Sequence, residues 1–391
     1  MSVFTIFTIF LRLGLTSFGG PVAHLGYFRT EFVENRGWFS EEDYADLVAL
    51  CQFLPGPASS QVGFAIGYNK GGYLGAFAAF LGFTLPSMAI MMAFGYGIVS
   101  TEGQIDAGLL QGLKIVAVAI VAQAVWGMAK GLCTDGVTRT IAILSALFLL
   151  VSGLYYAQFI VLVFSGILSF LIYTRPNEEK DGGLKFPQPS SRKGFFFIGV
   201  FFFLLVGLPF VTQFKGSDLI QQFDSFFRSG ALVFGGGHVV LPLLQYETVD
   251  SGWISKDVFL AGYGLAQAIP GPLFTFATYL GTVTGMGLSG WQGALFASVA
   301  IFLPGFLLVL GFLPYWDRLR VNPAVRHALK GVNASVVGLL LAALVTPVAT
   351  TGLLTVLHAI MALIALALLT QFKLSPWIVV LGTALTGYLF L

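Results

Sequence analysis

The chain has 391 residues, of which 57% are hydrophobic and only 10% charged, with a net charge of +2. An ordinary soluble domain carries roughly 25% charged residues, so this composition excludes water as the main solvent. It also leaves no basic surface for nucleic acid, and two cysteines, Cys51 and Cys133, fit neither a disulfide framework nor a zinc spacing.

The chain opens on an apolar run, Val3 to Leu15, which no basic residue precedes and no small-residue cleavage site follows. It is expected to belong to the mature protein rather than to a signal peptide. Arg12 lies inside this run, and the glycine turn Phe18-Gly19-Gly20 follows it. Glu31 comes next, then Asp43 and Asp46, which suit the first turns of a helix entering from the polar side. That helix is predicted to break at Gln52-Phe53-Leu54-Pro55-Gly56-Pro57, because both prolines remove a backbone donor and clash with the preceding turn. Lys114 follows in the apolar run GLLQGLKIVAVAIVAQA, and then come the runs Val137 to Gly153 and Tyr155 to Tyr173. A polar stretch, Thr174 to Lys193, and one further apolar run, Gly194 to Gln213, lead to a second series of segments. That series carries Arg228, Phe234-Gly235-Gly236, Glu247, Asp257 and Gln267-Ala268-Ile269-Pro270-Gly271-Pro272, and later the runs Ala334 to Thr350 and Thr351 to Thr370. A helix needs about 20 mostly apolar residues to cross the hydrocarbon core. The runs are continuous rather than alternating, which selects helices over a barrel.

The two series are copies of one pattern. An offset of 216 carries Arg12 to Arg228, Phe18-Gly19-Gly20 to Phe234-Gly235-Gly236 and Glu31 to Glu247. An offset of 215 carries Gly37-Trp38 to Gly252-Trp253, Ser40 to Ser255, Gln52 to Gln267 and the first Pro-Gly-Pro to the second. Offsets of 218 and 219 then carry Pro86 to Pro304 and Gly112 to Gly331. The expected fold is an all-α polytopic membrane protein of two homologous repeats, residues 1–173 and 219–391, joined by a polar loop and linker helix at 174–218. Six segments per copy and the linker make about 13 membrane segments, with broken or re-entrant helices, and an odd number of crossings inverts the second copy. If one Pro-Gly-Pro segment dips and returns, the copies become parallel; if two segments per copy do so, inversion is restored.

Loop charge gives the orientation. Arg12, Lys114 and Arg228 fall inside apolar segments, and 17 Lys and Arg residues remain. With a cytoplasmic N-terminus, 14 of them lie inside, and Arg29, Arg36 and Lys215 lie outside. A re-entrant first pair of segments brings Arg29 and Arg36 back to the cytoplasm and stands as the alternative.

The candidate site follows from what is costly in lipid. Consecutive glycines bare the backbone, and the helix that follows aims its positive end at the same place, a geometry that suits an anion. Glycine pairs also serve close helix packing; repetition beside an arginine favours the anion reading. Transporters place substrate at broken helices in corresponding positions of both halves, so Pro55-Gly56-Pro57 and Pro270-Gly271-Pro272 join the candidate site. Gln52 and Gln267 either donate to the ligand or cap freed carbonyls. Charges at membrane depth cost about 2.5–3.5 kcal/mol each on insertion scales, which singles out Arg12, Arg228 and Lys114. Arg12 alternatively snorkels to an interface. Glu31 and Glu247 either pair with the arginines, carry protons or cap a helix. The four histidines, His24, His238, His327 and His358, form no metal-ligand cluster by spacing, and no cofactor is implied.

The paired glycine turns, the Gly-Trp followed by Ser and the paired Pro-Gly-Pro breaks resemble the chromate ion transporter family over almost the full chain, in its long two-domain form. The stretch FGGPVAHLGYFRTEFVENRGWFSEEDYADLVALCQFLPGPASSQ carries the resemblance most specifically. The resemblance implies an inner-membrane exporter of chromate that confers chromate resistance, with the oxyanion and the bilayer as partners and a homo-oligomer as an open question of assembly. Sulfate or another tetrahedral oxyanion is the alternative cargo, and a membrane enzyme or scaffold the alternative class. No G-x-x-x-x-G-K-[ST] loop occurs, so ATP is not implicated.

Overall fold

The computed structural model describes residues 1–100, 106–152, 157–173, 189–234, 237–319 and 322–391, and these hold helices and no strand. Gly235, Gly236 and residues 174–188 of the polar loop lie outside the described residues.

The first copy contains α1 (Val3–Thr16), α2 (Gly20–Arg29), α3 (Glu41–Phe53), α4 (Ala58–Ser100), α5 (Ala107–Leu132), α6 (Gly136–Ser152) and α7 (Ala157–Ile172). The linker helix is α8 (Ser191–Lys215). The second copy contains α9 (Asp218–Ala231), α10 (Val240–Gln245), α11 (Lys256–Ala268), α12 (Phe276–Val283), α13 (Gly290–Phe312), α14 (Trp316–Leu319), α15 (Pro323–Ala343), α16 (Thr350–Gly352), α17 (Val356–Thr370) and α18 (Pro376–Phe390). Five helical stretches are long and apolar enough to cross a membrane: Ala58–Ser100, Ala107–Leu132, Ser191–Phe214, Gly290–Tyr315 and Pro323–Gly352.

The repeat read from sequence recurs in the local structure. Ser40 and Ser255 cap α3 and α11 by accepting from the amides of Asp43 and Val258, with acidic side chains in both first turns. One π turn, Thr30–Asn35, follows α2, and its counterpart Tyr246–Asp250 follows α10. The kink in α4 falls at Gly72, φ +59°, and the equivalent Gly290, φ +58°, opens α13.

The copies interlock. Helix α5 of the first packs along α18 and α17 of the second, and α15 of the second packs along α7 and α6 of the first. A Cβ at Gly112 would strike the Thr383 carbonyl oxygen, and one at the equivalent Gly331 would strike that of Ser165, so bare backbone sets both approaches. The cores are shared as well: one cluster joins Phe10, Phe28 and Phe83 of the first copy to Phe227 and Leu308 of the second. Cys51 and Cys133 are buried free thiols, as expected of small apolar fillers.

The start of the chain folds back on itself. The N-terminal amine donates to the Lys70 carbonyl at 3.4 Å, and the Lys70 ammonium donates to the Trp38 carbonyl at 3.2 Å. The first residues, Trp38 and Lys70 therefore share one end of the molecule. In the second copy Gln222 exchanges two hydrogen bonds with the backbone of Leu288, tying α9 to the segment after α12. At another point Lys330 pairs with Asp135 at 2.6 Å, and Tyr173 donates to the same carboxylate at 2.6 Å.

Candidate functional site

Each Pro-Gly-Pro break is joined to the glycine turn of the opposite copy. The Gly56 N–H donates to the Val233 carbonyl at 2.7 Å, and the Gly271 N–H donates to the Ser17 carbonyl at 2.9 Å. Ser17 and Val233 both stand directly before the Phe of a turn, so one contact is made twice. Both break glycines lie in the left-handed region, Gly56 at φ +126° and Gly271 at φ +96°. A Cβ at Gly56 would lie 3.1 Å from the Gly305 Cα, and one at Gly271 would lie 2.7 Å from the Ser87 hydroxyl. Ser87 and Gly305 are again equivalent, each following the proline inside α4 or α13. Reciprocal backbone contacts thus join each break to the opposite turn, and a Cβ at Gly237, just past the second turn, would lie 3.0 Å from the Pro21 ring just past the first.

The glycine turns themselves differ in what is described. Gly19 and Gly20 have φ +98° and +76°, and nothing lies within 4 Å of a Cβ built on Gly20, so this turn borders open space. The Phe18 ring meets that of Trp377 at 6.1 Å. Phe234 packs against the larger core cluster, while Gly235 and Gly236 lie outside the described residues.

The two glutamines taken as equivalent do not act alike. Gln52 is exposed, and Gln267 is half-buried with an Nε2 that has no partner. The fully buried Gln61 holds the first break instead, donating to the Pro55 carbonyl at 2.9 Å and to the Gly305 carbonyl at 3.2 Å. Buried side-chain atoms without a hydrogen-bond partner include Ser17 Oγ, whose carbonyl holds the second break, and Ser60 Oγ, Gln61 Oε1 and Thr84 Oγ1 on α4. His24 Nδ1 lies 3.3 Å from Ser59 Oγ, and its ring stands edge-on to Phe83. Buried polar groups are normally satisfied, so these atoms stand out as donors and acceptors with unused capacity. Sequence reasoning passed over these residues because the second copy has Val240 opposite His24 and Phe276 opposite Gln61. The available signal was the polar triplet Ser59-Ser60-Gln61 just after Pro57, inside an otherwise apolar helix.

Charge is arranged differently from a set of free cations. Arg228 contacts Asp224 at 3.1 Å and Glu247 at 3.0 Å. Lys114 pairs with Asp257 at 2.5 Å, and Glu31 pairs with Arg36 at 2.7 Å. Arg12 is exposed on α1 and makes no ion pair with a described residue. Two of the three cations expected at membrane depth are therefore neutralised within the protein. The hydroxyls of Ser17, Ser60 and Thr84 are neutral donors, which can bind an anion without holding it permanently.

A cavity of about 500 Å³ opens between the copies, bordered by Gln158 of α7 and by Gln245, Tyr246, Asp250, Lys256 and Pro347 of the second copy. Among the described residues no three His, Cys, Asp or Glu side chains form a metal-binding group.

The family model described as chromate transporter matches residues 4–170 and 220–388, which are the two copies. An uncharacterized transporter of Methanocaldococcus jannaschii is 30% identical over 400 residues, covering 100% of this chain and 95% of the relative. A probable chromate transport protein of Synechococcus elongatus is 30% identical over 345 residues, covering 86% of this chain and 82% of the relative. The chromate transport protein of Pseudomonas aeruginosa is 29% identical over 407 residues, covering 100% and 92%. No solved structure matches the chain. With both copies matched and full-length relatives of the same kind, the chain belongs to the chromate transporter family.

Proposed function

We propose that this protein is a secondary transporter that exports chromate from the cytoplasm, with the ion passing the crossed breaks. The observation that carries this reading is the pair of reciprocal bonds, Gly56 to Val233 and Gly271 to Ser17, which gathers the interrupted helices of both copies at one place. Irregular backbone is tolerated at membrane depth only where protein or a water-lined cavity satisfies it, and transporters use such points for substrate. The ion meets the backbone around Phe18, Gly19, Gly20, Gly56 and Gly271, with His24, Ser59, Ser60 and Thr84 as further donors. Arg12 supplies long-range attraction. Arg228 and Lys114, held by carboxylates, set the potential of the site from a distance. A dianion leaving a cytoplasm held about 100 mV negative gains roughly 4.6 kcal/mol, so the membrane potential suffices as a driving force.

The threading that goes with this reading has nine crossings and four re-entrant hairpins. Contacts among the first residues, Trp38 and Lys70 support two hairpins per copy, one tipped by the glycine turn and one by the Pro-Gly-Pro break. Helix α12 has 8 residues, about 12 Å at 1.5 Å per residue, less than half of a core of about 30 Å. The second half of α4, then α5, α6, α7 and α8 make five crossings before the second copy, which is thereby inverted. Arg29 and Arg36 then join the cytoplasmic group, and of the 17 placed cations only Lys215 and Lys256 lie outside.

Flux into inverted proteoliposomes tests the function. With a potential set by potassium and valinomycin, labelled chromate uptake should rise steeply as the lumen is made positive, and excess sulfate should compete only if the pocket admits it. Absence of flux for both ions in correctly inserted protein would overturn the reading.

A further inference from the structure

Buried charge is distributed unequally between the copies. In the second, Asp224 and Glu247 both place a carboxylate oxygen against the same nitrogen, Nη2 of Arg228, at 3.1 and 3.0 Å. Asp224 is 3% exposed and Glu247 7%. In the first copy Thr8 stands at the position of Asp224, Arg12 is exposed, and Glu31 is taken by Arg36. One copy therefore has a buried cluster of two carboxyl groups and one guanidinium, and the other has a simple ion pair.

Among the described residues, Arg228 is the one cation paired with Asp224 or Glu247; Lys256 stands farther out, on the cavity beside Asp250. Against α9 pack α8, α10, α13 and the π turn Tyr246–Asp250. Helices α10 and α13 carry no titratable residue. The basic residues of α8 are Arg192 and Lys193 in its first turn and Lys215 at its last position. The π turn contributes Tyr246, Glu247 and Asp250, and α9 itself contributes Asp218 in its first turn. The Ser225 hydroxyl is the neutral neighbour of Glu247. Fully ionised, the cluster carries one uncompensated negative charge away from water, a cost that burial makes large. Two carboxylates within about 6 Å of each other resist joint ionisation, and such a pair titrates as a unit. Tyr246 and Asp250, from the same π turn as Glu247, wall the cavity between the copies.

We infer that Asp224, Glu247 and Arg228 form a binding site for one proton, shared by the two carboxyl groups and exchanged through the cavity between the copies. The proton converts one carboxylate to its acid form, which brings the cluster to neutrality; its release returns the net charge of −1. In the transporter reading, on which this step alone rests, loading and unloading alternate with the passage of the anion, so a pH gradient contributes to the driving force. Glu31, bonded one-to-one at the surface, plays no part in this.

Infrared titration of the protein in nanodiscs without any anion tests proton binding apart from transport. The wild type should show one protonated-carboxyl band that disappears as pH rises. Asp224→Asn and Glu247→Gln should each abolish it, and Glu31→Gln should leave it. Each amide variant retains one carboxylate against Arg228, a neutral pair, so folding is expected, and size-exclusion profiles check it. Absence of a titrating band in the wild type, or its persistence in both amide variants, would overturn the site. Chromate flux at clamped potential then reads coupling: a pH gradient should change the wild-type rate several-fold and leave that of Asp224→Asn unchanged. Equal responses of the two proteins would overturn coupling, while a titrating band in a protein that moves neither chromate nor sulfate would sink the transport reading and leave the proton site standing.

Discussion

Arg228 illustrates how a buried arginine is read from sequence and how packing alters the reading. Its recurrence at the position of Arg12 points to a shared role, but the first copy has Thr8 where the second has Asp224. Repetition gives no signal for Asp224, and the approach of the π turn to α9 is a tertiary event that spacing does not encode. The two arginines are consequently expected to respond differently to neutralisation. Removing one partner of a buried ion cluster costs about 3–5 kcal/mol, so Arg228→Gln, which leaves Asp224 and Glu247 facing each other, should lower the yield of folded, inserted protein. Arg12→Gln should insert normally and weaken the apparent affinity for the anion. Fluorescence-detected size exclusion followed by flux against concentration distinguishes them. A fully stable Arg228→Gln protein with only a weaker affinity would reject the neutralised cluster.

At the scale of elements, the breaks were legible because proline and glycine act through covalent geometry, which needs no partner. The prolines at 55, 57, 270 and 272 end helices wherever they stand. What holds each break was less legible: Gln52 and Gln267 share a position, whereas Gln61 does the bonding in one copy alone. Side-chain caps are replaceable, so repetition preserves the break and not its cap. The reciprocal backbone bonds are the constant feature, and they demand glycine at φ +126° and +96°. Alanine in such a conformation costs about 1–3 kcal/mol, and at Gly56 and Gly271 it also meets Gly305 and Ser87. Gly56→Ala and Gly271→Ala should each lower flux by about tenfold and lower the thermal midpoint, with the double variant close to inactive. Gly20→Ala, where no atom lies within 4 Å of the added carbon, should show the backbone strain alone and a smaller loss. Equal losses at all three positions would mean that packing at the breaks is irrelevant.

Across the whole molecule, contacts between segments bear on the threading proposed above, which hydropathy alone leaves open. Apolar length fixes which segments lie in the membrane but not which ends meet, and parity depends on the ends. Contacts supply that information. Trp38, Lys70 and the N-terminal amine meet at one end. Asp135, Tyr173 and Lys330 meet at a point that the same threading also places in the cytoplasm. There, burial pushes the Asp135 carboxyl up, and hydrogen bonds from Lys330, Thr138 and Tyr173 outweigh it and hold the group below the usual carboxylate range. Tyr315 donates to the Ser191 carbonyl at 2.8 Å, again joining two segments threaded to the inside. At the end that this threading places outside, the Trp291 amide donates to Tyr96 at 2.8 Å and Gln111 donates to the Gly352 carbonyl at 2.9 Å. Every one of these contacts joins segments that nine crossings and four hairpins place on the same side, and none spans the membrane. A full crossing by each of the first two segments instead puts Arg36 outside and Lys70 inside, although both cations lie over the Trp38 ring, at 5.6 and 5.5 Å. Single cysteines at Arg36, Lys70 and Ser190, in a background lacking Cys51 and Cys133, should be labelled by a membrane-impermeant maleimide only after the cytoplasmic face is opened. Cysteines at Ser289 and Leu391 should react in intact cells. Labelling at Arg36 in intact cells would break the proposed first hairpin, shift the parity of everything after it, and overturn the proposed inversion in which Gly56 and Gly271 serve one pathway from opposite sides.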